Sequence, residues 1–177
     1  CMNQPSPALS ILKKIFGYDS FRGDQEDVIS HMSAGGNAFV LMPTGGGKSL
    51  CYQIPALMRD GVGIVVSPLI ALMIDQVQAL KLQGVAAEAI HSGMEANDVW
   101  RVKQALRGGS LKLIYVAPER VLMPDFLELL DGCKIALIAI DEAHCISQWG
   151  HDFRPHYTQL EQLAERLPGV PRIALTA

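Results

Sequence analysis

Six short apolar runs separated by amphipathic stretches constrain this chain more than any other feature. "AFVLM" (38–42), "VGIVV" (62–66), "AAEAI" (86–90), "LKLIYV" (111–116), "KIALIAI" (134–140) and "RIALTA" (172–177) read as strands. Most are unbroken rather than alternating, as expected for parallel strands covered on both faces. Helical stretches fill the gaps. Ser67-Pro68 opens "PLIALMIDQVQALKLQG", with serine as cap, proline at the first helical position and Gly84 as the stop. Pro124 starts "PDFLELLDG", and "EANDVWRVKQALRGG" and "PHYTQLEQLAERLPG" supply two more. "SPALSILKKIFGY" and "DQEDVISHM" read as two helices ahead of the first strand. The fold class is α/β, a mainly parallel sheet with helices on both faces and right-handed crossovers.

The 177 residues suffice for one domain burying roughly 70% of its unfolded surface. Net charge is −3, so the chain as a whole does not attract polyanions, although a local patch can. No apolar run is long enough to span a membrane and no signal peptide opens the chain, so a cytoplasmic protein is expected. Cys1-Met2 reads as a cloning remnant and is set aside. Cys51, Cys133 and Cys145 form no C-x-x-C pair and read as reduced, mostly buried thiols. His144, Cys145, His151 and His156 fit no familiar finger spacing, so no zinc is expected.

Sheets of this kind bind ligands beyond the carboxyl ends of their strands, and three of those ends carry chemistry. The first run leads into "PTGGGKS" (43–49) and then the helical pattern "LCYQIPALM". Consecutive glycines let the backbone wrap an anion, and the helix N-terminus adds partial positive charge. Thr44, Gly45, Gly46 and Gly47 would form the cradle, Lys48 would reach the β- and γ-phosphates, and Ser49 would coordinate Mg²⁺. Met42 stands where the strict phosphate-loop pattern has its first glycine. The fifth run delivers Asp141 and Glu142 to a strand end, where adjacent residues point to opposite faces. Asp141 would hold Mg²⁺ through its water shell, and Glu142 would position or deprotonate the attacking water. A phosphoryl-transferring kinase is disfavoured, because no arginine-rich, lid-like insertion appears; a nucleotide-binding switch that does not hydrolyse is disfavoured by Glu142.

"MPTGGGKS", "SPLIALMIDQ" (67–76), "YVAPERV" (115–121), "DEAHCISQWGHDFRPHY" (141–157) and "ALTA" (174–177) stand in the order of superfamily 2 helicase motifs. Together they resemble the RecQ family of DNA helicases from Phe16 to Ala177. The resemblance implies the first RecA-like lobe of an ATP-dependent motor, preceded over residues 1–34 by helices that carry an adenine-recognition segment. It implies ATP and Mg²⁺ as cofactors, single-stranded and forked duplex DNA as partners, 3′–5′ unwinding, and a place in DNA repair and recombination. In "FGYDSFRGDQ" (16–25), Gln25 would bond the adenine edge while Tyr18 and Arg22 pack on its faces; residue types alone would make Tyr18 and Phe21 core aromatics. Gly23-Asp24 departs from the proline and glycine usual in the family.

The family's aromatic-rich loop corresponds to Ser147–Tyr157. His144, Gln148, Trp149, His151, Phe153 and Arg154 would sense single-stranded DNA and report to the adjacent acids, with Trp149 and Phe153 stacking on bases or packing in an interlobe wedge. An RNA helicase lobe is the nearest rival, since no residue plainly reads a 2′-hydroxyl. Ser67, Pro68 and Leu69 would begin a helix whose N-terminal N–H groups take a DNA phosphate, Gln76 reads as a solvated side chain, Glu119 and Arg120 as a backbone contact or an ion pair, and Thr176 as part of a coupling motif. The second RecA-like lobe and its arginine finger, together with zinc-binding and winged-helix modules, lie outside these residues. The isolated piece is therefore expected to bind nucleotide weakly and not to unwind.

Overall fold

The structure is a computed structural model that describes residues 5–43, 47–143 and 161–176. Six strands, β1 (Ala38–Leu41), β2 (Val62–Val66), β3 (Ala87–Ile90), β4 (Leu113–Val116), β5 (Ile135–Ile140) and β6 (Arg172–Thr176), form one sheet in the order β1-β6-β5-β2-β4-β3. Every pairing is parallel, so all six carboxyl ends lie along one edge. The helices are α1 (Pro7–Lys14), α2 (Gln25–Ser33), α3 (Leu50–Met58), α4 (Ile70–Leu82), α5 (Ala96–Arg107), α6 (Pro118–Val121) and α7 (Pro124–Asp131), and residues 161–166 are also helical.

Alternation along the strands divides the core in two. Val65, Leu113, Tyr115, Leu137 and Ala139 pack against Tyr52 and Ala56 of α3 and Met73, Val77 and Leu80 of α4. Their neighbours Ile64, Val66, Ile114, Val116 and Ile138 face Val102 and Leu106 of α5 and Phe126 and Leu130 of α7. Period-two alternation over strands apolar on both sides is what a doubly covered sheet requires. Gly63 allows a close approach of α3 to the sheet: a Cβ there would lie 2.8 Å from the Ala56 Cβ. Leu12 of α1 and Ile29 of α2 form a third cluster with Leu50 and Ile54 of α3, which fixes the segment between α1 and α2 against the helix that follows the phosphate loop.

Each apolar run contains a strand, with ends moved by no more than two residues. The start of α4 differs from the cap reading. Ser67 N–H donates to Val116 O (3.1 Å), so Ser67 continues the strand ladder, and the helix begins at Ile70 with Leu69 as N-cap. The Ser67 hydroxyl accepts instead from Leu69 N–H (3.4 Å), closing a tight turn through Pro68. At the other end of α4, Gly84 does stop the chain, with φ +83°. Pro124 occupies the first turn of α7 as expected.

Candidate nucleotide site

Strand β1 runs directly into the phosphate loop, and α3 leaves it after Ser49. Strand β5 ends at Ile140 and presents Asp141 and Glu142 in a turn. A single strand, β6, separates these two strand ends, which brings groups more than ninety residues apart in sequence into contact. Lys48 Nζ donates to Glu142 Oε1 and lies 3.3 Å from Asp141 Oδ1. All three side chains are buried, with residue exposures of 7%, 5% and 1% respectively.

The orientation of the acids departs from the opposite-face expectation. Asp141 N–H is held by Val66 O (2.9 Å) of the neighbouring strand, but Glu142 has left the strand and sits at φ +52°. Asp141 Oδ1 accepts the Glu142 N–H (2.9 Å), which stabilises that left-handed bend. The bend turns both carboxylates toward one ammonium. Burial works against the charge on Lys48, but the bond to Glu142 and the attraction of Asp141 outweigh it, and its pKa stands above the ordinary lysine value. Burial lifts the Asp141 carboxyl above the usual aspartate range, with Lys48 pulling the other way.

The donor chemistry suits a hard divalent cation. Two buried carboxylates already surround a positive charge, and the Ser49 hydroxyl at the head of α3 makes no capping bond. Thr44, Gly45 and Gly46 lie outside the described residues; Gly47 is described, at φ +77°. Its carbonyl accepts from Gln25 Nε2 (3.0 Å), while Gln25 Oε1 accepts from Arg22 N–H (2.9 Å). Gln25 therefore ties the segment preceding α2 to the phosphate loop. An alanine Cβ at position 47 would come within 2.5 Å of Gln25 Nε2, in a backbone conformation that side chains disfavour.

Tyr18 is 53% exposed, so it is not the core aromatic its residue type suggests, whereas Phe21 is half-buried against the α1–α3 cluster. Arg22 is exposed beside the buried Gln25. Thr176, at the end of β6, is buried next to the loop and its carbonyl accepts from Met42 N–H (3.0 Å). Glu119 is exposed, and Arg120 Nη1 donates to Met123 Sδ (3.6 Å) while its Nε is buried without a hydrogen-bond partner among the described residues. His144, Gln148, Trp149, His151, Phe153 and Arg154 lie outside the described residues, as do Cys145 and His156. Of the remaining thiols, Cys51 is buried and Cys133 half-buried. No group of three or more metal-binding side chains is found among the described residues, and no helix among them is long and apolar enough to cross a membrane.

Sequence reasoning missed a buried hydroxyl network behind this site. Tyr52, in α3, donates to Gln76 Oε1 in α4 (2.8 Å), so Gln76 is half-buried and bonded rather than merely solvated. Tyr115 Oη lies 3.1 Å from Tyr52 Oη and accepts from Gln53 Nε2 (2.9 Å). The available signal was "YQ" inside the otherwise apolar "LCYQIPALM", since polar groups on a buried helix need partners.

Residues 22–177 match the DEAD/DEAH box helicase family. The chain belongs to that family. It is 54% identical to the ATP-dependent DNA helicase RecQ of Haemophilus influenzae, over 96% of this chain and 28% of the relative. RecQ of Bacillus subtilis is 49% identical over 96% of this chain and 29% of its own length. The RecQ-like DNA helicase blm-1 of Caenorhabditis elegans is 46% identical over 94% of this chain and 18% of its own length. These likenesses support the RecQ resemblance carried by the motifs, and this helicase-family chain spans less than a third of each of these relatives. The solved structure of the DUF1998 helicase MrfA superposes on the whole chain with a TM-score of 0.69, covering 30% of that protein at 18% identity, a likeness of fold.

Proposed function

We propose that this chain is the first motor lobe of a RecQ-type, ATP-dependent DNA helicase. The observation that carries the reading is the meeting of Lys48 with Asp141 and Glu142 across the carboxyl edge of the sheet. A lysine held by two buried carboxylates is a site already arranged for charge, and a triphosphate entering over the loop competes for that lysine. Lys48 then turns to the phosphates, and the two acids are left to serve other roles. Mg²⁺ would be held by Ser49 and Asp141, and it would neutralise phosphate charge. Glu142, released from Lys48, orients the attacking water and accepts its proton. Gln25 reads the adenine edge beside Tyr18 and Arg22, and its bond to Gly47 passes base recognition to the loop.

DNA is supported by the RecQ relatives and by the resemblance of Ser147–Tyr157 to the family's aromatic loop. In this proposal Trp149 and Phe153 stack on single-stranded bases, Arg154 meets phosphate or base, and His144, Gln148 and His151 carry the signal to Glu142. The first amides of α4, from Ile70 onward and without a side-chain cap, are the donors for a backbone phosphate, since the Ser67 and Leu69 amides are already bonded. A second RecA-like lobe of the parent enzyme closes the site. The test is ATP turnover by the full-length protein with single-stranded DNA, with RNA, or with neither. Strong stimulation by DNA alone is expected; equal stimulation by RNA, or none by either, contradicts the reading.

A further inference from the structure

The network joining α3, β4 and α4 has a direction fixed by its protons. Tyr52 gives its one hydroxyl proton to Gln76, so between the two phenols Tyr115 must be the donor. Tyr115 in turn accepts from Gln53, and the chain runs Gln53 to Tyr115 to Tyr52 to Gln76 with every hydroxyl proton used. Both tyrosines are completely buried, and their rings meet edge-on with centroids 6.3 Å apart. The ends of the chain lie on two different helices. Gln53 and Tyr52 sit in the first turn of α3, immediately after Lys48 and Ser49. Gln76 sits in the middle of α4, whose start lies at the carboxyl end of β2 beside β5 and its acids. Met73, Val77 and Leu80 hold α4 to the sheet by apolar packing that tolerates sliding, and Lys81 reaches Glu88 of β3 only at the last turn (3.1 Å), whereas the Tyr52–Gln76 hydrogen bond fixes the register of α4 against α3.

We propose that the Tyr52 hydroxyl is a positioning group that fastens α4 to the phosphate-loop helix, so that the start of α4 and the phosphate loop shift together. This rests on the reading of the chain as a DNA-stimulated ATPase lobe, and it assigns to Tyr52 and Gln76 the mechanical link between the two ligands. The Tyr52 hydroxyl also interacts with Asp141, so the link is tested first from its Gln76 end, where a change alters coupling and leaves the acids in place.

The test uses the full-length protein, with steady-state ATP turnover measured with and without a single-stranded DNA oligonucleotide. Gln76→Leu removes the bond from the α4 side at a half-buried position; Tyr52→Phe keeps the ring but removes that bond together with the acceptor for Tyr115 and the interaction with Asp141. Gln76→Leu is expected to leave DNA-free turnover within about twofold while lowering DNA-stimulated turnover about tenfold, a factor equivalent to roughly 1.4 kcal/mol, and Tyr52→Phe to lower the stimulation ratio at least as much. The double variant should lose no more stimulation than Tyr52→Phe alone, because Gln76→Leu removes a bond that this variant already lacks. Parallel loss of basal and stimulated rates, full retention of stimulation, or losses that multiply in the double variant would each overturn the proposal. A wild-type protein that ignores DNA removes the functional reading itself; a wild-type protein that responds, with variants that respond equally, removes this inference alone.

Discussion

The two faces of the sheet are built from the same strands but differ in kind. Among the described residues, the apolar cluster under α5 and α7 is built of valine, isoleucine, leucine and phenylalanine. The face under α3 and α4 buries two tyrosines, linked by hydrogen bonds to Gln53 and Gln76, and its helix α3 starts at the site. Aliphatic packing contributes stability without direction, since dispersion and burial are indifferent to small rotations. Buried hydrogen bonds contribute less net energy but specify one arrangement and penalise others. One face therefore holds the fold together, and the other holds the fold in register with its site.

Substitutions at the site and on the two faces should separate these roles. The largest effect is expected at the end of the polar face. Lys48→Met removes the cation between two buried acids, and ATP turnover by the full-length protein should fall by about a hundredfold or more. Turnover within threefold of wild type would break the assignment of Lys48. On the aliphatic face, Phe126→Ala should cost about 3–5 kcal/mol of unfolding free energy in urea titrations. The DNA-stimulation ratio of its folded fraction should nevertheless match wild type. A changed ratio would show that this face also carries signal, and the contrast would fail.

Gly47→Ala has a smaller, local consequence. It forces a disfavoured backbone conformation and drives Gln25 from its carbonyl partner. ATP affinity should drop about tenfold, with the unfolding midpoint changed by only a few degrees. Equilibrium binding of a fluorescent ATP analogue measures it, and unchanged affinity would detach Gln25 from the loop. The smallest expected effect concerns Cys51 on the polar face, whose thiol burial pushes up to about 11. A raised folded pKa favours the folded state while the thiol is protonated, and that contribution is lost as pH rises from about 9 to 11. At pH 8 Cys51 should resist alkylation until urea unfolds the chain, as mass spectrometry of the labelled peptide would report. Rapid labelling in native buffer would mean that α3 opens readily.

Much of this architecture was legible in the residues. Unbroken runs such as "VGIVV" can be satisfied only by burial on both faces, which forces parallel strands with helices on either side. The strand order was not legible, because apolar runs carry no information about which neighbours they choose. That order, with β6 between β1 and β5, sets the distance between Lys48 and the acids. The convergence of Lys48 with Asp141 and Glu142 followed from motif spacing. The left-handed turn at Glu142 did not, since it depends on a carboxylate accepting the next amide. Gln76 was misjudged for a related reason: its burial comes from a tyrosine on another helix, invisible to helical periodicity. The start of α4 moved because the Ser67 amide found a strand partner, a tertiary contact that overrode a good local cap.

Glu142→Gln gives the most direct test of the central claim, that this edge of the sheet is an ATP-hydrolysing site. The substitution preserves shape and a hydrogen-bond acceptor for Lys48 but removes the base. In the full-length protein, Mg-ATP binding should stay within a few-fold of wild type while single-turnover hydrolysis falls by about a hundredfold or more. Hydrolysis at the wild-type rate would contradict the account.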